Sequence, residues 1–301
     1  MKKLVSLITA LLLVLSLSSF AMADETVTIT IAADVAPHMI ILEEIADDML
    51  ALGYKLELLS FTDYSLYNMA LAEGQMDANY FQHLPYLDAY NATADEANQL
   101  VPAIGMHYEP FGVYAGQTKS LEELKDGAII TVPNDASNET RALLLLQEAG
   151  LITLPEEATT RDMLTVMHIV DNPKNLDIRE MDASQLPASL EDADLAVING
   201  NYALSAGLSP TADALIFEAN DSEAAAVYTN YLVVRPEDVE AEWVEALRTC
   251  LCTQEMYDFM LALTDTAGHA GGVVPTFAVP GAEADAAAAE ATAEEDAEAI
   301  M

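Results

Sequence analysis

Short apolar runs and amphipathic segments take turns along the sequence from 27 to about 281, a rhythm that few architectures other than an α/β fold accommodate. Residues 26–33 (TVTITIAA) alternate with the two-residue period of a strand, and 37–52 repeat apolar residues at helical spacing after a proline. The same reading predicts strands at 54–60, 100–104, 112–115, 128–132, 176–181, 195–198 and 231–234. Helices are expected at 64–72, 136–149, 184–190, 202–206, 236–251 and 254–263. Strands separated by helices predict mainly parallel sheets.

Residues 1–23 read as a secretory signal. Lys2 and Lys3 precede a mainly apolar run at 4–17, and Ala21-Met22-Ala23 is a small-x-small cleavage site. The run is too short for a comfortable membrane span, so an extracytoplasmic, soluble protein is expected. Residues 282–301, rich in alanine and acids, cannot bury a core and are expected to be disordered.

The chain holds 50 Asp and Glu against 11 Lys and Arg. Nucleic acid is excluded as a partner, because phosphate binding needs cations to displace counterions. A polybasic membrane contact is excluded for the same reason. Cys250 and Cys252 are the only cysteines. An i, i+2 pair on a helix points to different sides, so a mutual disulfide is not expected. No metal-ligand or cofactor spacing is present.

Three stretches concentrate groups suited to a small ligand. In Met76-Asp-Ala-Asn-Tyr-Phe-Gln-His-Leu-Pro-Tyr86, Phe81, His83 and Tyr86 offer rings for an apolar side chain; the plainer reading is a helix start packing into the core. In Val132-Pro-Asn-Asp-Ala-Ser-Asn-Glu-Thr-Arg141, a strand ends and Asp135 or Ser137 can cap a helix. A carboxylate there would meet backbone N–H groups, a positive helix end and the Arg141 fork, with Asn138 one turn before. The alternative is a surface arginine paired with Glu139 or Glu148. In Leu195-Ala-Val-Ile-Asn-Gly-Asn-Tyr202 an apolar strand runs into Asn199, where open α/β sheets place ligands. Asn230 likewise precedes a strand. Hydrolase, metalloprotease, phosphate-loop and dinucleotide motifs are absent, and no two of the five histidines lie three or four residues apart.

Together these stretches resemble the NlpA-type methionine-binding lipoproteins, the substrate-binding components of bacterial methionine ABC importers. The resemblance runs in order from about Val27 to Gly272. It includes Ser60-Phe-Thr-Asp-Tyr64, Asp77-Ala-Asn-Tyr-Phe-Gln-His83 and Pro85-Tyr-Leu87. It continues through Arg141-Ala-Leu-Leu-Leu-Leu-Gln147, Asp171-Asn-Pro-Lys-Asn-Leu176, Gln185-Leu-Pro187 and Ala196-Val-Ile-Asn199.

The resemblance implies a type II periplasmic-binding-protein fold, two α/β lobes hinged about an interlobe ligand cleft. Lobe one would comprise 24–111 and 230–281, and lobe two 112–229. It also implies a non-enzymatic monomer that captures L- or D-methionine for an ABC permease and its ATPase. Phe81, His83 and Tyr86 would cradle the thioether, with Tyr64 beside them. Arg141 would hold the carboxylate with Asn138 nearby, and Asn199 and Asn230 would bind the amino and carboxylate groups. A methionine dipeptide or another apolar amino acid is the rival ligand; a secreted hydrolase or a sensor on this scaffold is the rival class. Two features depart from the family pattern. No lipid-anchoring cysteine follows the signal, and Gly200-Asn201 and Ala224-Ala-Ala-Val227 differ in spacing.

Overall fold

A computed structural model of the protein describes residues 26–219, 223–263 and 268–279. The expected leader at 1–23 and acidic tail at 282–301 lie outside the described residues. Among the described residues, eleven strands follow one another as β1 (Val27–Ala33), β2 (Tyr54–Leu59), β3 (Ala78–His83), β4 (Val101–Tyr108), β5 (Gly112–Ala115), β6 (Ile129–Pro133), β7 (Asp177–Met181), β8 (Leu195–Ile198), β9 (Ala214–Phe217), β10 (Asn230–Val234) and β11 (Val274–Pro275). They form a six-stranded sheet of order β11-β4-β10-β3-β1-β2 and a five-stranded sheet of order β7-β6-β8-β5-β9. The chain crosses from the first sheet to the second after β4 and returns before β10, giving two α/β lobes.

The sheets are mixed, not mainly parallel as the alternation predicts. β1 runs parallel to β2 and β3, and β6 parallel to β7 and β8. β10 is antiparallel to β3 and β4, and β5 to β8 and β9. The crossings explain this. β5 and β10 each enter a lobe from the other one, so they start at the interlobe side where their neighbours end.

Each lobe has its own apolar core. Along β1, Ile29 and Ile31 pack with Ile41, Met49, Leu232 and Leu247, while Ala32 faces the opposite layer with Tyr67 and Leu71. In lobe two, Ile130, Val132, Leu195 and Val197 pack with Leu143 and Leu146. Each fully buried side chain of this kind stabilises by roughly 1.5–3 kcal/mol. The expected helix at 37–52 is present as α1 (Ile40–Glu44) and α2 (Ala46–Ala51). α3 (Ser65–Ala72) and α4 (Leu84–Thr93) flank β3, and α5 (Ala136–Glu148) follows β6. α5 runs from an Asp135 cap to Gly150, whose φ of 71° is the left-handed conformation that commonly closes a helix. α6 (Gly200–Ser205) follows β8; α7 (Glu242–Leu251) and α8 (Gln254–Ala262) cover lobe one.

Candidate ligand-binding cleft

The C-terminal ends of β3, β4, β6, β8 and β9 converge with the beginnings of β5 and β10, the position where open α/β sheets place ligands. A cavity enclosing about 330 Å³ of empty space, its mouth included, lies there. All eight sequence-predicted residues line it: Tyr64, Phe81, His83, Tyr86 and Asn230 from lobe one, and Asn138, Arg141 and Asn199 from lobe two. Gln82, Glu109, Gly200 and Asn201 complete the lining.

One wall is aromatic. Phe81 lies on the end of β3, stacked on Tyr67 at 4.4 Å between ring centres, and its other neighbours are Tyr86 at 5.5 Å and Tyr64 at 5.6 Å. The cluster is a strand that runs into the helix start of the plainer reading, with α4 beginning at Leu84 and Phe81 buried in the core. His83 ends β3 and caps α4, its Nδ1 accepting the Tyr86 N–H at 3.3 Å. With Nδ1 accepting, Nε2 carries the proton and donates to Asn138 Oδ1 across the cleft at 3.0 Å. Asn138 Nδ2 in turn donates to the Asp135 carboxylate at 2.9 Å. Burial and the nearby Arg141 charge lower the His83 pKa to about 3, so the ring is neutral.

Arg141 is 4% exposed and pairs with neither Glu139 nor Glu148. Its Nε donates to Glu218 Oε1 at 2.9 Å and its Nη2 to Glu218 Oε2 at 2.6 Å. Nη2 also reaches the Glu109 main-chain oxygen at 2.8 Å, and the guanidinium lies 4.2 Å from the Tyr228 ring centre and 4.8 Å from that of Phe111. Burial alone disfavours the charge, but the Glu218 carboxylate more than offsets it, and the Arg141 pKa is raised. Glu218 accepts the Tyr108 hydroxyl as well, at 2.7 Å. One carboxylate thus joins both crossings to α5.

Below the cavity, lobe one holds a polar layer. His107 Nε2 donates to Glu109 Oε1 at 2.8 Å, leaving Nδ1 to accept from the Tyr80 hydroxyl. His38 Nε2 lies 3.2 Å from Asn230 Oδ1 and 3.4 Å from Glu109 Oε1. Burial lowers His38 to about 4 and His107 to about 3. Among the described residues, His38, His107 and Glu109 are the one group with metal-ligand reach, and here their facing atoms are engaged with one another. The lobes also touch directly: Tyr64 donates to Asn201 Oδ1 at 2.7 Å, and Asn201 Nδ2 to Asp34 at 2.8 Å.

Asp34, Glu109 and Glu218 were not foreseen as site residues. In a chain with 50 acids no single carboxylate stands out. The usable signal was position, since Glu109 and Glu218 directly follow strands that end at the cleft.

A family model described as NlpA lipoprotein matches residues 29–277. The D-methionine-binding lipoprotein MetQ of Salmonella typhi is 43% identical over 208 residues, 68% of this chain and 74% of that one. A nutrient binding protein from Burkholderia cenocepacia, solved bound to methionine, superposes with a TM-score of 0.74 at 38% identity, covering 83% of this chain and 100% of that one. A periplasmic substrate-binding protein of an ABC transporter from Coxiella burnetii gives 0.73 at 37% identity, covering 82% and 100%.

Proposed function

We propose, from the premise that this chain belongs to the NlpA lipoprotein family, that it is an extracytoplasmic receptor which captures methionine and hands it to an ABC importer. The observation that carries this reading is the composition of one cavity. Three aromatic rings, Tyr64, Phe81 and Tyr86, share it with a buried arginine and four asparagines. A thioether is polarizable and gains on the order of 0.3–1.5 kcal/mol per aromatic contact. A zwitterionic head group buried without partners would cost several kcal/mol, and Arg141, Asn138, Asn199 and Asn230 supply such partners. Lobe limits at 24–111 with 230–281 and at 112–229 put both crossings at the hinge, so closure around a ligand would shape the surface that a permease and its ATPase recognise. The protein acts as a monomer without catalysing a reaction.

Calorimetric titration with L-methionine, D-methionine, glycyl-methionine and leucine tests this. Saturable one-to-one binding of a methionine enantiomer, with leucine far weaker, is expected. Preference for the dipeptide or for leucine would replace the ligand within the same class, and turnover of the dipeptide would make the protein a hydrolase.

A further inference from the structure

Arg141 has a counterpart of opposite sign in the cleft. Glu109 lines the cavity at 5% exposure, immediately after β4. It is not the counter-ion of Arg141, whose guanidinium is already matched by the two oxygens of Glu218 and meets Glu109 through the main-chain oxygen. The donors that hold the Glu109 side chain are neutral: the His107 and His38 imidazoles and the backbone N–H of Asn201. They position the carboxylate, and together with the nearby Arg141 charge they only partly offset its burial. Burial consequently pushes its pKa up, a cost that a cation brought into the cleft would relieve.

Two further observations set this carboxylate beside an unpartnered acceptor. A Cβ on Gly200 would stand 2.5 Å from Glu109 Cβ and 2.9 Å from Oε2, so α6 can start against Glu109 only because residue 200 lacks a side chain. Beside it, Asn199 is 5% exposed, and its Oδ1 is buried with no hydrogen-bond partner. An anionic and a neutral acceptor therefore belong to one end of the cavity, and a primary ammonium offers three donors to such a pair.

We propose that Glu109 and Asn199 Oδ1 form the ammonium subsite, making a free α-amino group a requirement for binding and not an incidental part of the ligand. The proposal rests on the methionine reading given above. It assigns selectivity against N-acylated and des-amino thioether acids to Glu109, and affinity for the carboxylate to Arg141.

The test is calorimetric titration of the secreted chain and its Glu109→Gln variant with L-methionine and with 4-(methylthio)butanoate, which lacks only the amino group. Wild type should prefer methionine by about 100-fold, the scale on which a buried charge deprived of its partner is felt. Glu109→Gln should lose on the order of 30-fold or more for methionine while its affinity for the des-amino acid changes by less than about threefold. Should that variant fail to fold, Glu109→Asp, which withdraws the carboxylate by one methylene, must show the same split. Equal weakening of both acids, or unchanged methionine binding, would overturn the ammonium subsite and leave the receptor reading intact. A wild-type protein that binds neither acid would overturn both.

Discussion

Arg141 and Glu218 lie 77 residues apart in sequence, yet they form a two-pronged ion pair beside the interlobe cavity, at 2.6 and 2.9 Å. The pair leaves the arginine rigid, charged and pressed against Tyr228. A preorganised cation of this kind gives up little side-chain entropy when a carboxylate arrives.

Replacing Arg141 by alanine should weaken methionine binding by about 2–4 kcal/mol, the loss of a buried charge partner. The same change strands Glu218 and should cost stability by about 3–5 kcal/mol. Adding Glu218→Gln should recover much of the stability and none of the affinity. Titration and thermal melts separate the two effects, and near wild-type affinity in Arg141→Ala would remove that residue from the site.

Tyr64→Phe keeps the aromatic wall and deletes the 2.7 Å hydrogen bond to Asn201 in the facing lobe. The loss should be about 0.5–1.5 kcal/mol of closed-state stability, seen as faster ligand release in stopped-flow with little change in association. A slower association with unchanged release would show that the hydroxyl does not hold the lobes together.

Much of this arrangement was legible in the sequence. The strand-to-helix turn at Asp135, the asparagine after β8 and the ring cluster were each readable because short-range rules cover caps, strand ends and aromatic content. β3 was not. All six of its residues, Ala78–His83, are buried, so it shows no two-residue alternation. Its polar side chains are satisfied out of sight, Asn79 donating to Asn68 at 2.9 Å and Gln82 accepting from Asn68 at 2.8 Å. The Glu218 partnership escaped too, because pairing across 77 residues leaves no local signal.

Asp34 should govern part of the pH dependence of stability. The Tyr67 hydroxyl lies 2.7 Å from Asp34 Oδ1 and 2.8 Å from the Phe61 carbonyl, and it has one proton to give. That proton, shared with Phe61, and the Asn201 amide are given to the Asp34 carboxyl, but burial outweighs them and raises its pKa from 3.8 to about 8. Because the folded pKa exceeds the unfolded one, this contribution is fully present below pH 3.8 and is lost as pH climbs towards about 8. Asp34→Asn, neutral at every pH, should therefore gain on wild type steadily as pH rises from 5 towards 8 in melting experiments. A constant difference between the two proteins over that range would contradict a protonated Asp34.

Gly116 tests the fold apart from the site. A Cβ there would sit 2.2 Å from the Ala193 carbonyl oxygen and 2.9 Å from that of Leu190, backbone atoms that cannot turn aside. Gly116→Ala should cost about 1–3 kcal/mol by overpacking, lowering the melting temperature while ligand affinity well below the transition stays at the wild-type value. Altered affinity at low temperature would mean that strain in lobe two reaches the cleft.

The central claim is that this cleft is built for methionine, and native mass spectrometry of the freshly purified protein, followed by denaturation and identification of the released molecule, meets it most directly. The account predicts a one-to-one complex that releases methionine. A protein that carries no ligand, and whose melting temperature does not move with either L- or D-methionine, would contradict it.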